Sequence, residues 1–176
     1  MSERTLYPRA LGAQWAGLSA PLQRFFASPR AFAGDFEVRS GGVFARMIRA
    51  ILRMPAPGAH VPVRLLVEAT ATGERWRRRF RDRPLESDQR ADGDLVIDRF
   101  GATEVAFALE ATAHHVVMRQ VRTVVRLGPL RLRLPRALAP RISGTMTDDG
   151  EIRVAVRVAA PLVGLVISYE GVVREE

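Results

Sequence analysis

The segment Gly73-Glu74-Arg75-Trp76-Arg77-Arg78-Arg79-Phe80-Arg81 carries the residue types with the most specific chemistry in the chain. Read as a strand, its side chains alternate between two faces. Glu74, Trp76, Arg78 and Phe80 then share one face, and Arg75, Arg77, Arg79 and Arg81 the other. The two aromatics mark the first face as inward, which sets Arg78 among apolar neighbours. A guanidinium there needs a carboxylate or several carbonyls, because an unpaired buried charge is costly; Asp98 and Glu170 are the candidate partners. Arg78 is then either half of a structural ion pair or the anchor for the acid group of a bound molecule. Trp76 and Phe80 would line the same site, and Arg64 and Arg119 are further candidates to hold an acid head. The outer row of four Arg could meet phosphates, but it also guards against edge pairing. Nucleic-acid readers place stacking aromatics beside the basic row; here the aromatics face the other way, so nucleic acid is disfavoured.

Other chemistries find little support. The three His are His60 and the adjacent pair His114-His115. Neighbours on a strand point to opposite faces, so the pair does not converge on one metal. The chain has no Cys, which removes disulfides, thiolate metal sites and thiol nucleophiles. It has no Gly-x-Gly-x-x-Gly, phosphate loop, Gly-x-Ser-x-Gly or His-Glu-x-x-His. An acid such as Asp98 or Glu110 beside His115 is the weakest reading, because spacing supplies no geometry for it. No catalytic residue, metal ligand or cofactor is assigned.

All 27 basic residues are Arg, and against 19 acidic residues the net charge is +8. Such a charge can draw nucleic acid, anionic lipid or an acidic partner. The absence of Lys and Asn, with Ala and Val in abundance, reads more simply as the bias of a GC-rich genome. The N-terminus lacks the apolar core of a secretory signal. The apolar run from Val158 to Ile167 is too short for a membrane helix and contains Pro161 and Gly164. A soluble, cytoplasmic protein is expected.

These residues must be positioned by the surrounding elements, and 176 residues suit one domain spanning 1–176. Residues 1–33 form a helical N-terminal segment. Leu6, Leu11, Trp15, Leu18, Leu22, Phe25 and Phe26 have helical spacing, Ser19 is an N-cap before Pro21, and Ser28-Pro29 ends the helix. Residues 34–176 form a curled antiparallel sheet with one covering helix at about 43–54. On that helix Phe44, Met47, Ile48 and Ile51 share a face, with Arg46, Arg49 and Arg53 opposite. The apolar face is expected to cover the sheet, and docking on an anionic membrane is the lesser reading. Asp35 to Arg39 is the first strand. From Val61 onward, alternating runs are punctuated by Gly73, Asp92-Gly93, Gly101, Gly128-Pro129 and Asp149-Gly150. The fold class is α+β, mainly β: about nine or ten strands in a meander that curls strongly or closes into a barrel.

The chain also resembles a bacterial domain of unknown function that occurs alone or on the C-terminal side of NAD-dependent reductase or epimerase-like proteins. The resemblance rests on Leu6-Tyr7-Pro8-Arg9-Ala10-Leu11-Gly12, Val61-Pro62-Val63-Arg64, Gly73-Glu74-Arg75-Trp76-Arg77-Arg78-Arg79-Phe80, Asp98-Arg99-Phe100-Gly101, Leu134-Pro135-Arg136-Ala137-Leu138-Ala139-Pro140 and Tyr169-Glu170-Gly171. It implies no activity, and implies a reductase as a partner only through the family's neighbours. Two functions follow. One is a non-enzymatic binding module that holds an apolar or acidic-headed small molecule in a barrel-like interior. The other is an interaction domain that docks a reductase or epimerase-like protein and has no cavity. The volume and lining of the interior separate them.

Overall fold

Among the described residues, alternating sequence becomes eleven strands, ten of which close on themselves. The computed structural model describes residues 6–27, 29–51, 54–135 and 137–176. The N-terminal segment forms α1 (Leu6–Leu11), a 3-10 turn (Gly12–Gly17) and α2 (Ala20–Phe26). Then come β1 (Arg30–Ser40), α3 (Val43–Ile51), β2 (Gly58–Thr70), β3 (Gly73–Phe80), β4 (Arg83–Asp92) and β5 (Leu95–Phe100). The chain continues through β6 (Thr103–Thr112), β7 (His115–Leu127), β8 (Leu130–Arg133), β9 (Arg141–Asp148), β10 (Ile152–Ala160) and β11 (Gly164–Glu175). Neighbouring strands pair antiparallel, β1 with β11 and β6 with β7, so the sheet is a closed barrel. β8 is the extra strand, paired to the far end of β7.

Glycines with positive φ at Gly93 (65°) and Gly101 (53°) make two of the tight turns. The seam between β1 and β11 needs glycine for another reason. A Cβ on Gly171 would lie 2.3 Å from the Asp35 carbonyl oxygen and 2.6 Å from the Phe36 ring. No side chain fits where these strands pass.

Three expectations about the elements change. β1 begins at Arg30, inside the segment read as helical to residue 33, because Phe32 is buried in the barrel wall and pairs with both β2 and β11. β9 has no counterpart in the sequence reading, since Ile142 and Met146 are its only large apolar residues. The third change concerns α3, whose apolar side was expected on the sheet. Among its described side chains the buried one is Ala45, with Ile48 and Arg49 half-buried, while Val43, Phe44 and Met47 are 71%, 70% and 54% exposed. Small size decides this: Ala45 sits beside Gly41, whose missing Cβ would lie 2.0 Å from the Leu165 carbonyl oxygen. Arg49 turns its guanidinium to the Met54 and Pro55 carbonyls at the helix's C-terminal end. Ser28 and Arg53 lie outside the described residues.

The helical segment plugs one end of the barrel. Tyr7, Leu22, Phe25 and Phe26 are buried, with Tyr7 against Phe26 at 4.3 Å and Phe25 against Phe32 at 5.0 Å between ring centres. Ser19 caps α2 as expected, accepting from Leu22 N. The Ser19 amide donates to the Ala113 carbonyl, and the Ala111 amide donates to Gln14 Oε1, which ties the plug to the β6–β7 turn. The opposite end is bordered by the β3–β4 and β5–β6 turns, the β10–β11 turn and α3.

Outward positions carry most of the strand arginines, and several pair across strands. Arg77 meets Glu68 at 3.1 Å, Arg75 meets Asp88 at 2.8 Å, Arg122 meets Asp92 at 3.2 Å, and Arg174 meets Glu151. Each exposed pair adds little stability. Glu104 differs, because only 7% of it is exposed and it holds Arg126 at 3.0 Å and Arg131 at 2.9 Å, fastening β8 to the barrel.

Candidate functional site

β3 lies with the predicted face inward. Glu74, Trp76 and Phe80 are 1%, 6% and 3% exposed, and Arg78 is half-buried on the same face, lining the cavity with Trp76, Phe80 and Phe100. Its guanidinium carbon sits 5.2 Å from the Trp76 ring centre and 5.8 Å from that of Phe100, both in cation–π range. Arg78 Nη1 donates to Ser87 Oγ at 3.2 Å. Among the described residues no carboxylate forms an ion pair with Arg78.

Asp98, on β5, is the nearest thing to its predicted partner. It is 4% exposed, and its Oδ2 accepts from Gln89 Nε2 at 3.1 Å. Its Oδ1 is buried with no hydrogen-bond partner among the described residues. Burial raises the Asp98 pKa, against the pull of the Arg78 charge and of the Ser87 and Gln89 side chains. The pair is thus coupled through space but not in contact. Glu170, the other candidate, is on the outer wall opposite Arg153 at 3.7 Å, so it cannot serve Arg78.

The polar row continues to the plug. Tyr7 donates its hydroxyl to Gln89 Oε1 at 2.7 Å. Burial, followed by the Glu74 and Asp98 charges, pushes the Tyr7 pKa well up, so it is a neutral donor. Trp76 donates to Glu74 Oε2 at 3.1 Å. Tyr7 and Gln89 belong to this site but carried no functional signal in the sequence. Gln89 follows Ser87 at the period of two that marks β4's inner face, which is the one signal that could have found it.

These groups line a cavity of about 100 Å³. Phe36, Phe80, Phe100, Phe107, Met118 and Tyr169 form its apolar wall. Tyr169 packs on Phe80 at 5.2 Å, and burial raises its pKa. Drug-sized ligands occupy cavities of roughly 300–1,000 Å³; this one suits a molecule near the size of benzene. A fatty-acid chain does not fit in it as it stands.

Two predicted site residues are not brought here. Arg64 is on the outer face of β2, held by Glu176 at 2.8 Å, because the inward positions of that strand are Val63 and Leu65. Arg119 is outside as well, paired with Glu110 at 2.9 Å, while Met118 faces the cavity. Arg119 instead borders an open groove of about 760 Å³ with Arg122, Arg133 and Arg141. That groove exists because β7 leaves β9 after Arg119, and the Gln120 side chain replaces the ladder by accepting from Ile142 N.

No acid–histidine pair forms with Asp98. It pairs with Val105 on β6, whereas His115 pairs with Thr112, seven residues further along, or about 23 Å at strand rise. Glu110 is committed to Arg119. Among the described residues no group of three His, Asp or Glu could hold a metal ion.

A family model described as a domain of unknown function (DUF4166) matches residues 18–173. The match shows no reductase or epimerase neighbour. No curated protein matches the chain significantly. Among solved structures, the crystal structure of Rv2717c from M. tuberculosis is similar over 90% of this chain and 99% of its own, with 11% identity and a TM-score of 0.47.

Proposed function

The chain belongs to the family described as a domain of unknown function, DUF4166, and on that premise we propose that it is a non-enzymatic binding module whose barrel holds a small molecule with an acidic head at Arg78. One observation carries this reading: on the wall of an apolar cavity, half-buried Arg78 has no carboxylate partner and the buried Asp98 Oδ1 has no donor among the described residues. A fixed core would ordinarily satisfy both. The acid head of a bound molecule would give Arg78 its acceptor, and a proton held by Asp98, whose pKa burial raises, would be shared with that head and satisfy Oδ1, with the apolar body among Phe36, Phe80, Phe100 and Tyr169. Trp76 would hold the guanidinium in place from behind. The volume of about 100 Å³ favours a single ring or short chain over a long acyl tail.

Native mass spectrometry of freshly purified protein gives the first test, and thermal denaturation with benzoate, benzyl alcohol and toluene the second. Benzoate should raise the melting temperature most. At a concentration about 100-fold above Kd the gain is roughly 2.7 kcal/mol. Arg78→Met should remove the benzoate effect and keep any toluene effect. If no small molecule co-purifies and no probe moves the transition, the interior is only a core and the proposal fails.

A further inference from the structure

The clearest anomaly outside the barrel is α3. Its nine residues, Val43–Ile51, place Ala45 against β11 and leave Val43, Phe44 and Met47 exposed. By the helical period, Val43, Met47 and Ala50 form the outward arc, with Phe44 on one flank and Arg46 on the other. Arg46 is exposed and makes no ion pair among the described residues. Beside the helix is the β10–β11 turn, since Gly41 packs on the Leu165 carbonyl. The tip of that turn is Leu162, 108% exposed and held at φ 63°, a conformation uncommon for leucine. Scattered exposed leucines need no explanation, but four large apolar residues on one helix and its neighbouring turn make a patch.

The charges at this end choose the occupant. Arg81 and Arg83 are exposed in the adjoining β3–β4 turn, with Asp82 the one acid there, and the chain as a whole is +8. A second copy would set Arg46 and this basic rim against themselves across a two-fold axis. An anionic bilayer accepts both features: its headgroups attract the arginines, and its interface takes the apolar side chains. We propose that α3 and the Leu162 turn dock the barrel, by the end opposite the helical plug, onto an anionic membrane surface. None of these residues lines the cavity, so the proposal is tested independently of what the barrel binds.

Co-flotation with phosphatidylcholine vesicles, with and without phosphatidylglycerol, tests it, using wild type, Phe44→Glu/Met47→Glu, Leu162→Glu and Arg78→Met. All of the surface substitutions are at exposed positions, and circular dichroism checks that each variant keeps its sheet. Wild type and Arg78→Met should float with the anionic vesicles and not the neutral ones. Phe44→Glu/Met47→Glu should weaken binding by about tenfold or more, and Leu162→Glu by less. Absence of binding to anionic vesicles overturns the proposal. So does binding that the double substitution leaves unchanged, which would mean charge attraction without insertion. A wild-type dimer in light scattering that the double substitution dissolves would assign the patch to a second copy and overturn it as well.

Discussion

Replacing Tyr7 with Phe tests whether the helical plug and the polar interior are one cooperative unit. The ring of Tyr7 is fully buried and packs on Phe26 at 4.3 Å and Trp76 at 6.1 Å; Phe keeps those contacts. What is lost is the 2.7 Å hydrogen bond to Gln89 Oε1, on a residue only 4% exposed. A buried acceptor left without its donor costs about 1–3 kcal/mol. A loss of about 2 kcal/mol lowers the melting temperature of a chain this size by roughly 4–8 °C. Urea titration should show a lower midpoint with an unchanged slope. Gln89→Leu alone should cost more, because it also strips the donor from Asp98. That second loss is common to Gln89→Leu and the double variant, so it cancels in the cycle. Tyr7→Phe/Gln89→Leu should therefore fall short of additivity by about 1 kcal/mol or more. Because burial keeps Tyr7 neutral, the Tyr7→Phe penalty should stay flat from neutral into mildly alkaline pH. A Tyr7→Phe protein as stable as wild type, or strictly additive losses, would refute the argument that this bond links plug to barrel.

Asp98→Asn should stabilise the protein at neutral pH. Burial raises the folded pKa of Asp98, so its favourable contribution is complete below the ordinary carboxylate pKa and is lost as pH rises through the raised value. The melting-temperature gain of the variant should therefore vanish in acid and grow above the usual carboxylate range; a gain that is largest in acid would contradict the sign. Gly171→Ala should cost about 1–3 kcal/mol in urea denaturation, since the new Cβ would collide with the Asp35 carbonyl across the β1–β11 seam. Glu104→Ala should cost about 1–2 kcal/mol, discounted because Arg126 and Arg131 are part-exposed. Hydrogen exchange should show the loss concentrated in β8, and unchanged β8 protection would remove Glu104 as its fastener.

The sequence determined the local half of this protein. Period-two alternation and turn glycines specify antiparallel strands, and the order of aromatics along β3 is enough to turn Arg78 inward. Those signals are short-range, carried by residues a few positions apart. Closure was decided by pairings between distant segments, β1 with β11 and β6 with β7, which no local pattern encodes. The same holds for the site: Asp98, Gln89 and Tyr7 meet Arg78 only because three separate segments converge. Arg64 and Arg119 alternate as plausibly as Arg78, yet the wall turns them out to Glu176 and Glu110. On α3 the helical period stated which residues share a side, and packing alone chose which side meets the sheet. The close approach of Gly41 to β11 leaves room there for Ala45 and not for Phe44, so the apolar arc faces outward.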